Sequence, residues 1–431
     1  MSNNLTSLTN TLATIRQART GQATPWLRDA QDAALNRIID NGFPSTRQEN
    51  WKYTDVRKLA EAYPRWLENR PKPVADGQRQ TIDLENALHL VFVDGQFNRE
   101  ASSESLPAGL FAGSLEEIAA TQPELLQNHL QRLEAVADSP FVALNTAFGE
   151  SAVLLLVADG AVIDQPVYIE HFSATDELSA QTRLIVDLGR NSQVSIFEHF
   201  ASNAAVITNS LAEFCCREGS RLTYCKLQQE HTSAWHVANQ YVRLDRDATA
   251  LTTTVDAGAL LARNELNIEL AESGAHASSN GLLLADNDRH VESRINVHHA
   301  APDTTSRERY RSVLSDRARG VFNGRILVDS EAQKTAAELT NRNLLLSTGA
   351  EINTKPELEI YADDVKCAHG ATTGQLDERS LFYLLTRGID LQSARNMLVR
   401  AFASELVADI AVPAVAERTG ELLTEIRYTP S

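Results

Sequence analysis

The stretch DLGRNSQVSI (residues 187–196) joins two apolar strands by a polar turn centred on Asn191. Three later stretches have the same design: FCCREGSRLTY (214–224), RLDRDATALTT (243–253) and ELAESGAHASS (269–279). Their turn residues are Gly219, Asp247 and Gly274, so the spacing from Asn191 onward is 28, 28 and 27 residues. A steady period of this size is typical of stacked supersecondary units that bury their apolar faces against one another. The pattern therefore favours a parallel β-helix (a solenoid) over a β-sandwich.

The repeat continues toward the C-terminus, where turns near Pro302 and Ser330 keep the 28-residue step. Short runs rich in Val, Ile, Leu and Thr, separated by Gly, Asp and Asn turns, begin at about residue 152. We therefore assign residues 151–375 to a parallel β-helix core, which makes the fold mainly β.

The two flanking regions are predicted to be mostly helical. In residues 1–150, the segment 114–136 has a helical pattern, and the alternating stretch LHLVFVDGQFN predicts a hairpin around Asp94 and Gly95. Residues 376–431 form a predicted C-terminal helical domain, in which Asp390 can cap a helix. The apolar residues of that helix recur at three- and four-residue spacing and are Ala394, Met397, Leu398, Ala401, Phe402 and Leu406.

The composition excludes several classes of protein. A formal net charge of −17 over 431 residues implies no basic surface for nucleic acid. No apolar run approaches the roughly 20 residues that span a bilayer, so we expect no membrane insertion. The N-terminus lacks a basic segment followed by an apolar one, and four cysteines are too few for a disulfide framework. We therefore expect a cytoplasmic protein.

The stretch IYADDVKCAHGAT (360–372) contains the most suggestive side chains. In a strand, Cys367 and His369 would point to the same face, where they could share a metal ion. Two ligands do not complete a tetrahedral site, so another chain would have to supply the rest. A Cys–His nucleophilic pair is an alternative, but no oxyanion-hole motif accompanies it. A structural role for both residues is a further alternative, and the neighbouring Asp363 and Asp364 are expected in a turn.

The remaining sequence signals are negative. Cys215, Cys216 and Cys225 lack the CxxC spacing of metal sites, and burial explains them best. No GxxxxGK[ST] loop occurs, so we do not expect this chain to hydrolyse ATP by itself.

Several stretches resemble the SufD members of the SufB/SufD family, which belongs to the SUF iron–sulfur cluster assembly system. The most specific is LEIYADDVKCAHGATTGQLDERSLFYLLTRGI (358–389). The others are GVFNGRILV (320–328), ARNMLVRAFASELV (394–407), RQENWKYTDVRKL (47–59) and FVALNTAF (141–148), so the resemblance touches all three regions. SufB members usually carry an N-terminal cysteine cluster and an acid after the motif histidine. Here the first 214 residues hold no cysteine, and Gly370 follows His369.

The resemblance implies a right-handed parallel β-helix between helical ends and a scaffold role without catalysis. It implies pairing with SufB, binding of the ATPase SufC through the C-terminal helical region, and sulfur that arrives indirectly from SufS and SufE. His369 matches the family histidine proposed to help form a transient iron–sulfur cluster shared with SufB, and Cys367 matches a neighbouring family cysteine. The helix of residues 394–407 and the preceding RSLFYLLTRGI (379–389) become the candidate SufC-docking surface.

Two hypotheses from other classes stay open at this stage. The first is a β-helix carbohydrate-active enzyme, which would need a long groove with carboxylates and basic residues on one solenoid face. The second is a stand-alone homodimeric interaction protein, because the edge that pairs with SufB could also pair with a second copy of this chain.

Overall fold

The computed structural model describes residues 11–17, 25–72, 79–114, 117–118, 121, 123–128, 139–149 and 151–426. The strands of these residues are β1 Leu88–Val93, β2 Gln96–Asn98, β3 Leu110–Ser114, β4 Ser151–Val157, β5 Val167–Ser173, β6 Leu178–Leu188, β7 Gln193–Ser202, β8 Val206–Cys216, β9 Arg221–Gln229, β10 Trp235–Leu244, β11 Thr249–Asp256, β12 Leu261–Leu270, β13 His276–Ala285, β14 His290–His299, β15 Thr305–Leu314, β16 Arg319–Val328, β17 Ala336–Leu345, β18 Glu351–Ile360 and β19 Lys366–Gly374.

The helices with defined bounds are α1 Pro25–Asn41, α2 Arg57–Glu68, α3 Pro140–Phe148, α4 Glu378–Thr386, α5 Leu391–Ala408 and α6 Pro413–Glu425. A single 3₁₀ turn, Glu49–Trp51, precedes α2. The predicted helical segment 114–136 is helical at residues 117–118, 121 and 123–128, and most of the remainder lies outside the described residues. None of the described helices is long and apolar enough to cross a lipid bilayer.

The strands alternate between two sheets, which confirms the predicted solenoid. Sheet A has the order β19-β17-β15-β13-β11-β9-β7-β5-β1-β2, and sheet B has the order β18-β16-β14-β12-β10-β8-β6-β4-β3. From β4 to β19 each strand pairs in parallel with the strand two places later in the chain. Each coil therefore contributes one strand to each sheet, which is the architecture that the sequence repeat predicts.

The repeated turns adopt the left-handed backbone conformation that permits them. The φ angles are 54° at Asn191, 68° at Gly219, 54° at Asp247 and 79° at Gly274. Asn, Asp and Gly tolerate this region better than other residues do. The amide of Gly219 donates to the carbonyl of Arg246 in the next coil at 2.8 Å, so that the turns are stacked as well as the strands. In the next two turns, which the 28-residue step predicted near Pro302 and Ser330, the left-handed residues are Asp303 and Lys334. These two coils are longer than the predicted period.

The hairpin predicted around Asp94 and Gly95 is confirmed, with φ angles of 50° and 78°. Its first strand, β1, also pairs in parallel with β5, so it belongs to sheet A although it lies within residues 1–150. The domain limits at residues 150 and 375 stay predictions.

The three largest apolar cores among the described residues account for most of the packing. The first fills the space between the sheets, with inward residues such as Leu244 and Leu339. In the second, α2 and α3 pack on the outer face of sheet B around Ile207 and Val237. In the third, α5 and α6 pack on the outer face of sheet A around Leu227. Both faces of the central strands are consequently covered, which explains why every residue of β6 is buried.

Candidate functional site

Cys367 and His369 lie on β19, the last strand of sheet A. In the parallel register, Cys367 is beside Ala337 and His369 is beside Leu339 of β17. Ala337 and Leu339 are buried, whereas Glu338 between them is exposed. Because side chains alternate between the two faces of a strand, Cys367 and His369 both point to the inner side of the solenoid. The prediction that they share one face is consistent with this register; their role as cluster ligands stays a prediction.

The two side chains differ in exposure. Cys367 is half-buried and packs against the inner core, while His369 is exposed. Burial raises the pKa of the Cys367 thiol above its usual value, and the carboxyl of Glu308 acts in the same direction. The thiol is therefore neutral at neutral pH, which argues against a reactive thiolate nucleophile and suits a sulfur that loses its proton on binding a metal.

The described residues do not supply a complete metal site. Among them, no group of three or more His, Cys, Asp or Glu side chains is arranged to hold a metal ion. Asp363 and Asp364 are exposed in the turn before β19, where the carbonyl of Asp364 accepts a hydrogen bond from Lys334 at 2.6 Å. The predicted ligand set at this end of the solenoid, one thiol and one imidazole, is thus not completed by the described residues.

The coil that contains this pair is open to solvent. β19 is the last strand of sheet A and β18 is the last strand of sheet B, and no strand of the described chain pairs with their outer edges. No residue of β18 is buried. Tyr361, which directly follows β18, is 66% exposed. An end with two unpaired strands is a template for pairing with another chain.

The helix predicted for docking has a buried face and an exposed face. Asp390 caps α5 by accepting a hydrogen bond from the amide of Ser393 at 3.0 Å, as predicted. The six candidate residues are distributed as follows: Ala394 and Leu406 are buried, Leu398 and Phe402 are half-buried, and Met397 and Ala401 are exposed. Met397 and Ala401 offer the most free surface, because the other four pack wholly or partly within this chain.

Helix α4 offers a larger apolar surface than α5. It contains no buried residue, and Phe382 and Tyr383 are 68% and 57% exposed. Large aromatic side chains exposed together mark an interaction surface rather than ordinary solvent contact. This helix lies within the stretch 379–389 that the sequence also nominated.

Two of the other three cysteines are buried, as predicted, and one is not. Cys216 belongs to the inner core and Cys225 to the third core, where burial raises the pKa of Cys225 to about 12. Cys215 is half-buried and lines a groove of about 720 Å³ on the outer face of sheet B.

This groove is the feature that a carbohydrate-active enzyme would require. Its carboxylates, however, are engaged with cations. Glu269 pairs with Arg243 at 2.6 Å and Glu359 pairs with Arg325 at 2.6 Å. Carboxylates held as ion pairs are poorly suited to act as a general acid, which needs a raised pKa. The groove therefore does not favour glycoside chemistry.

The sequence interpretation missed one unusual residue beneath the site. Glu308 of β15 lies beside Leu339, which lies beside His369, so the three occupy equivalent positions in successive coils. Its side chain is completely buried. The coil spacing of 31 and 30 residues from Glu308 through Leu339 to His369 is the signal that could have found it.

Two family models match the chain along nearly its whole length. Residues 171–402 match the model described as "SUF system FeS cluster assembly, SufBD core domain", and residues 3–169 match "SufBD protein N-terminal region".

Individual relatives agree with these matches. The chain is 31% identical over 379 residues to the iron–sulfur cluster assembly protein SufD of Escherichia coli, which covers 86% of each chain. It is 29% identical over 392 residues to an iron–sulfur cluster assembly SufBD family protein of Synechocystis sp., covering 87% of this chain and 85% of that one. It is 26% identical over 402 residues to Protein ABCI7, chloroplastic, of Arabidopsis thaliana, covering 88% and 82%. The chain belongs to the SufB/SufD family of the SUF iron–sulfur cluster assembly system.

Proposed function

We propose that this chain is a non-catalytic scaffold subunit that pairs with a SufB paralogue and binds the ATPase SufC. A nascent iron–sulfur cluster would form at the shared interface from sulfur supplied indirectly by SufS and SufE, and would then pass to an acceptor. The observation that carries the proposal is the open last coil, which presents the unpaired edges of β18 and β19 beside Cys367 and His369.

The incomplete ligand set fits a shared and transient cluster. One thiol and one imidazole suit iron and sulfide chemistry but leave most coordination positions unfilled. A partner that pairs with β18 and β19 would bring its own ligands to the same place. Few protein ligands for each metal ion favour release of the product, so we expect no tightly bound cluster in the isolated chain.

The C-terminal helices provide the candidate surface for SufC. The exposed aromatic residues Phe382 and Tyr383 of α4 and the exposed Met397 of α5 supply apolar area for a partner. Ion pairs from Arg309 to Asp409 and from Arg311 to Glu405 join the end of α5 to strand β15. β15 is two strands from β19 in sheet A, so a displacement of the helices by ATP-driven association of SufC would reach the site.

A homodimer is compatible with the same edges. A second copy of this chain could pair with β18 and β19 when the SufB paralogue is absent, since edge pairing relies on backbone groups that every strand possesses. Homodimers of the purified chain that dissociate when the paralogue is added would support the scaffold proposal.

The test is reconstitution of a cluster in a complex purified from cells that express this chain, a SufB paralogue and SufC. We expect His369→Ala to lower the cluster yield, measured by visible absorbance and by iron and sulfide content, while the three proteins still purify together. His298→Ala is the matched control, because His298 lies on the outer face of sheet B and pairs with Asp329 at 2.9 Å.

Two results would contradict the proposal. An unchanged cluster yield in His369→Ala would contradict the assignment of His369 as a cluster ligand. Failure of the chain to purify with either partner would contradict its assignment as a scaffold subunit.

A further inference from the structure

Glu308 is an unpartnered acid in the interior of the solenoid. Its side chain is 0% exposed, and neither carboxylate oxygen has a hydrogen-bond partner of good geometry within the described residues. An isolated buried carboxyl group is costly to the folded state and is rare in native proteins unless it has a role.

The position of Glu308 relates it to the candidate cluster ligands. Leu339 separates Glu308 from His369, and Ala337 separates the neighbouring Ser306 from Cys367. Two strand spacings of about 4.8 Å place the backbones of Glu308 and His369 roughly 10 Å apart. Glu308 is therefore too far back to be a ligand in the resting structure, but it is close enough for its charge to act on one.

Within the described part of the chain, no cation is among the groups with the largest electrostatic effect on Glu308. The titratable groups with which it interacts most strongly include Glu338, Cys367 and Tyr310, and none of these bears a positive charge. His299, which bonds Ser306 at 3.0 Å, has its pKa lowered by burial to about 4 and is neutral. Burial raises the pKa of Glu308 to about 8, against the opposing effect of the Ser306 hydroxyl. The acid is protonated at neutral pH.

We propose that Glu308 is the buried counter-charge for the metal cations that Cys367 and His369 receive, and that it releases its proton when a cation arrives. The proposal rests on the proposed function and adds a positioning residue to it. As the metal–sulfur bond forms, the S–H bond of Cys367 breaks; the O–H bond of Glu308 breaks as well, and both protons pass to water. No electrons are transferred. The resulting carboxylate attracts the cation across Ala337 and Leu339.

A line of hydrogen bonds begins at Ser306, the neighbour of Glu308, and leads toward the surface. Ser306 lies beside Glu308, its hydroxyl bonds His299 Nε2, and His299 Nδ1 bonds the hydroxyl of Thr304 at 2.8 Å. Thr304 donates in turn to the carbonyl of Ala301 in the turn between β14 and β15 at 3.1 Å. The line therefore joins the interior beneath the site to a surface turn.

The test is cobalt(II) titration of the complex with the SufB paralogue and SufC. The cobalt–thiolate absorption that His369→Ala removes defines the signal of this site. For that signal we expect Glu308→Gln to weaken Co²⁺ binding roughly tenfold at a pH where Glu308 is fully ionised and about twofold at pH 7, from a charge interaction over about 10 Å in a partly shielded interior. By linkage, we also expect Glu308→Gln to release roughly 0.4 proton fewer per Co²⁺ at about pH 7, measured by calorimetry in buffers of different ionisation enthalpy.

The matched control is Glu338→Gln. Glu338 is on the next strand, but it is exposed and faces outward beside Arg307, so solvent screens its charge. Its substitution should change the affinity and the proton count much less than Glu308→Gln does. If Glu308→Gln matches wild type in both the Co²⁺ affinity and the number of protons released, the role of Glu308 as counter-charge is refuted and the proposed function stands. If His369→Ala removes no cobalt signal, the cluster site itself is wrong, and this inference falls with it.

Discussion

Arg311, on the outer face of β15, forms an ion pair with Glu405 of α5 and donates a hydrogen bond to the carbonyl oxygen of Phe402. The same strand carries Glu308 on its inner face. Strand β15 therefore joins the helices proposed to bind the ATPase to the interior behind the proposed cluster site.

Arg311→Ala should loosen the C-terminal helices without unfolding the solenoid. The substitution removes two charge-assisted hydrogen bonds from a side chain that is largely buried, and such a loss costs about 1–3 kcal/mol. Hydrogen exchange should show faster exchange in α5 and α6, with little change in β5 to β13. The control is Arg317→Ala, which removes an exposed pair with Asp288 and should leave exchange unchanged. Equal exchange in wild type and Arg311→Ala would show that this ion pair does not hold α5.

Glu308 should make the protein less stable as the pH rises. In the unfolded chain this carboxyl has a pKa of roughly 4.3, whereas in the folded chain burial raises its pKa to about 8. The folded state therefore favours the protonated form. The resulting stability is fully present below the unfolded pKa and is lost as pH rises through that value toward the folded pKa. The loss in the free energy of unfolding between about pH 4 and pH 8 should be on the order of 3–5 kcal/mol.

Urea unfolding at a series of pH values can measure this loss. Other groups titrate over the same range, so the informative quantity is the difference between wild type and Glu308→Gln. That difference should grow in favour of Glu308→Gln from about pH 5 to pH 8. Parallel pH profiles for the two proteins would show that Glu308 is solvated or paired in solution.

The architecture was predictable from the sequence because stacked turns constrain their residues. Positive φ angles occur at four successive turn residues, Asn191, Gly219, Asp247 and Gly274. Because this conformation favours Asn, Asp and Gly, these residue types recur in the sequence at a regular spacing. The period fails after Gly274, where the left-handed residues become Asp303 and Lys334. Extra turn residues lie outside the stacked strands, where their number is not fixed by strand pairing.

The candidate site was only partly predictable. Alternation along β19 places Cys367 and His369 on one face, and this follows from strand geometry alone. The helical spacing of Ala394 to Leu406 could not show which of those residues meet sheet A, because a partner-facing stripe and a core-facing stripe have the same period. The coil spacing could have aligned Glu308 with His369, but the burial of Glu308 could not be predicted, since a Glu in a strand is ordinarily solvent-exposed.

Lys226 and Asp256 should show strong energetic coupling. Both are at most 1% exposed, the ammonium nitrogen lies 3.8 Å from the Asp256 carboxylate, and it donates to Asn264 at 3.0 Å. Lys226→Met should cost about 3–5 kcal/mol because it leaves an uncompensated acid in the interior. The double variant Lys226→Met with Asp256→Asn should recover much of that loss. Additive losses in a double-mutant cycle of urea unfolding would mean that the two groups do not interact.

Two glycines of sheet A, Gly281 on the inner face and Gly370 on the outer face of the last strand, allow a test of packing in the solenoid. At Gly281, an added Cβ would lie 2.1 Å from the Tyr310 ring, whereas at Gly370, beside His369, nothing lies within 4 Å. Tyr310 cannot move freely, because its hydroxyl bonds Ser279 at 2.9 Å. Gly281→Ala should therefore destabilise the protein by about 1–3 kcal/mol in urea unfolding, as overpacked cores do.

Gly370→Ala should leave stability unchanged, because the last coil is open there. Destabilisation by Gly370→Ala in the isolated chain would mean that another surface already covers this end, as it would in a homodimer. A loss of stability that disappears on dilution would identify that surface as a second copy.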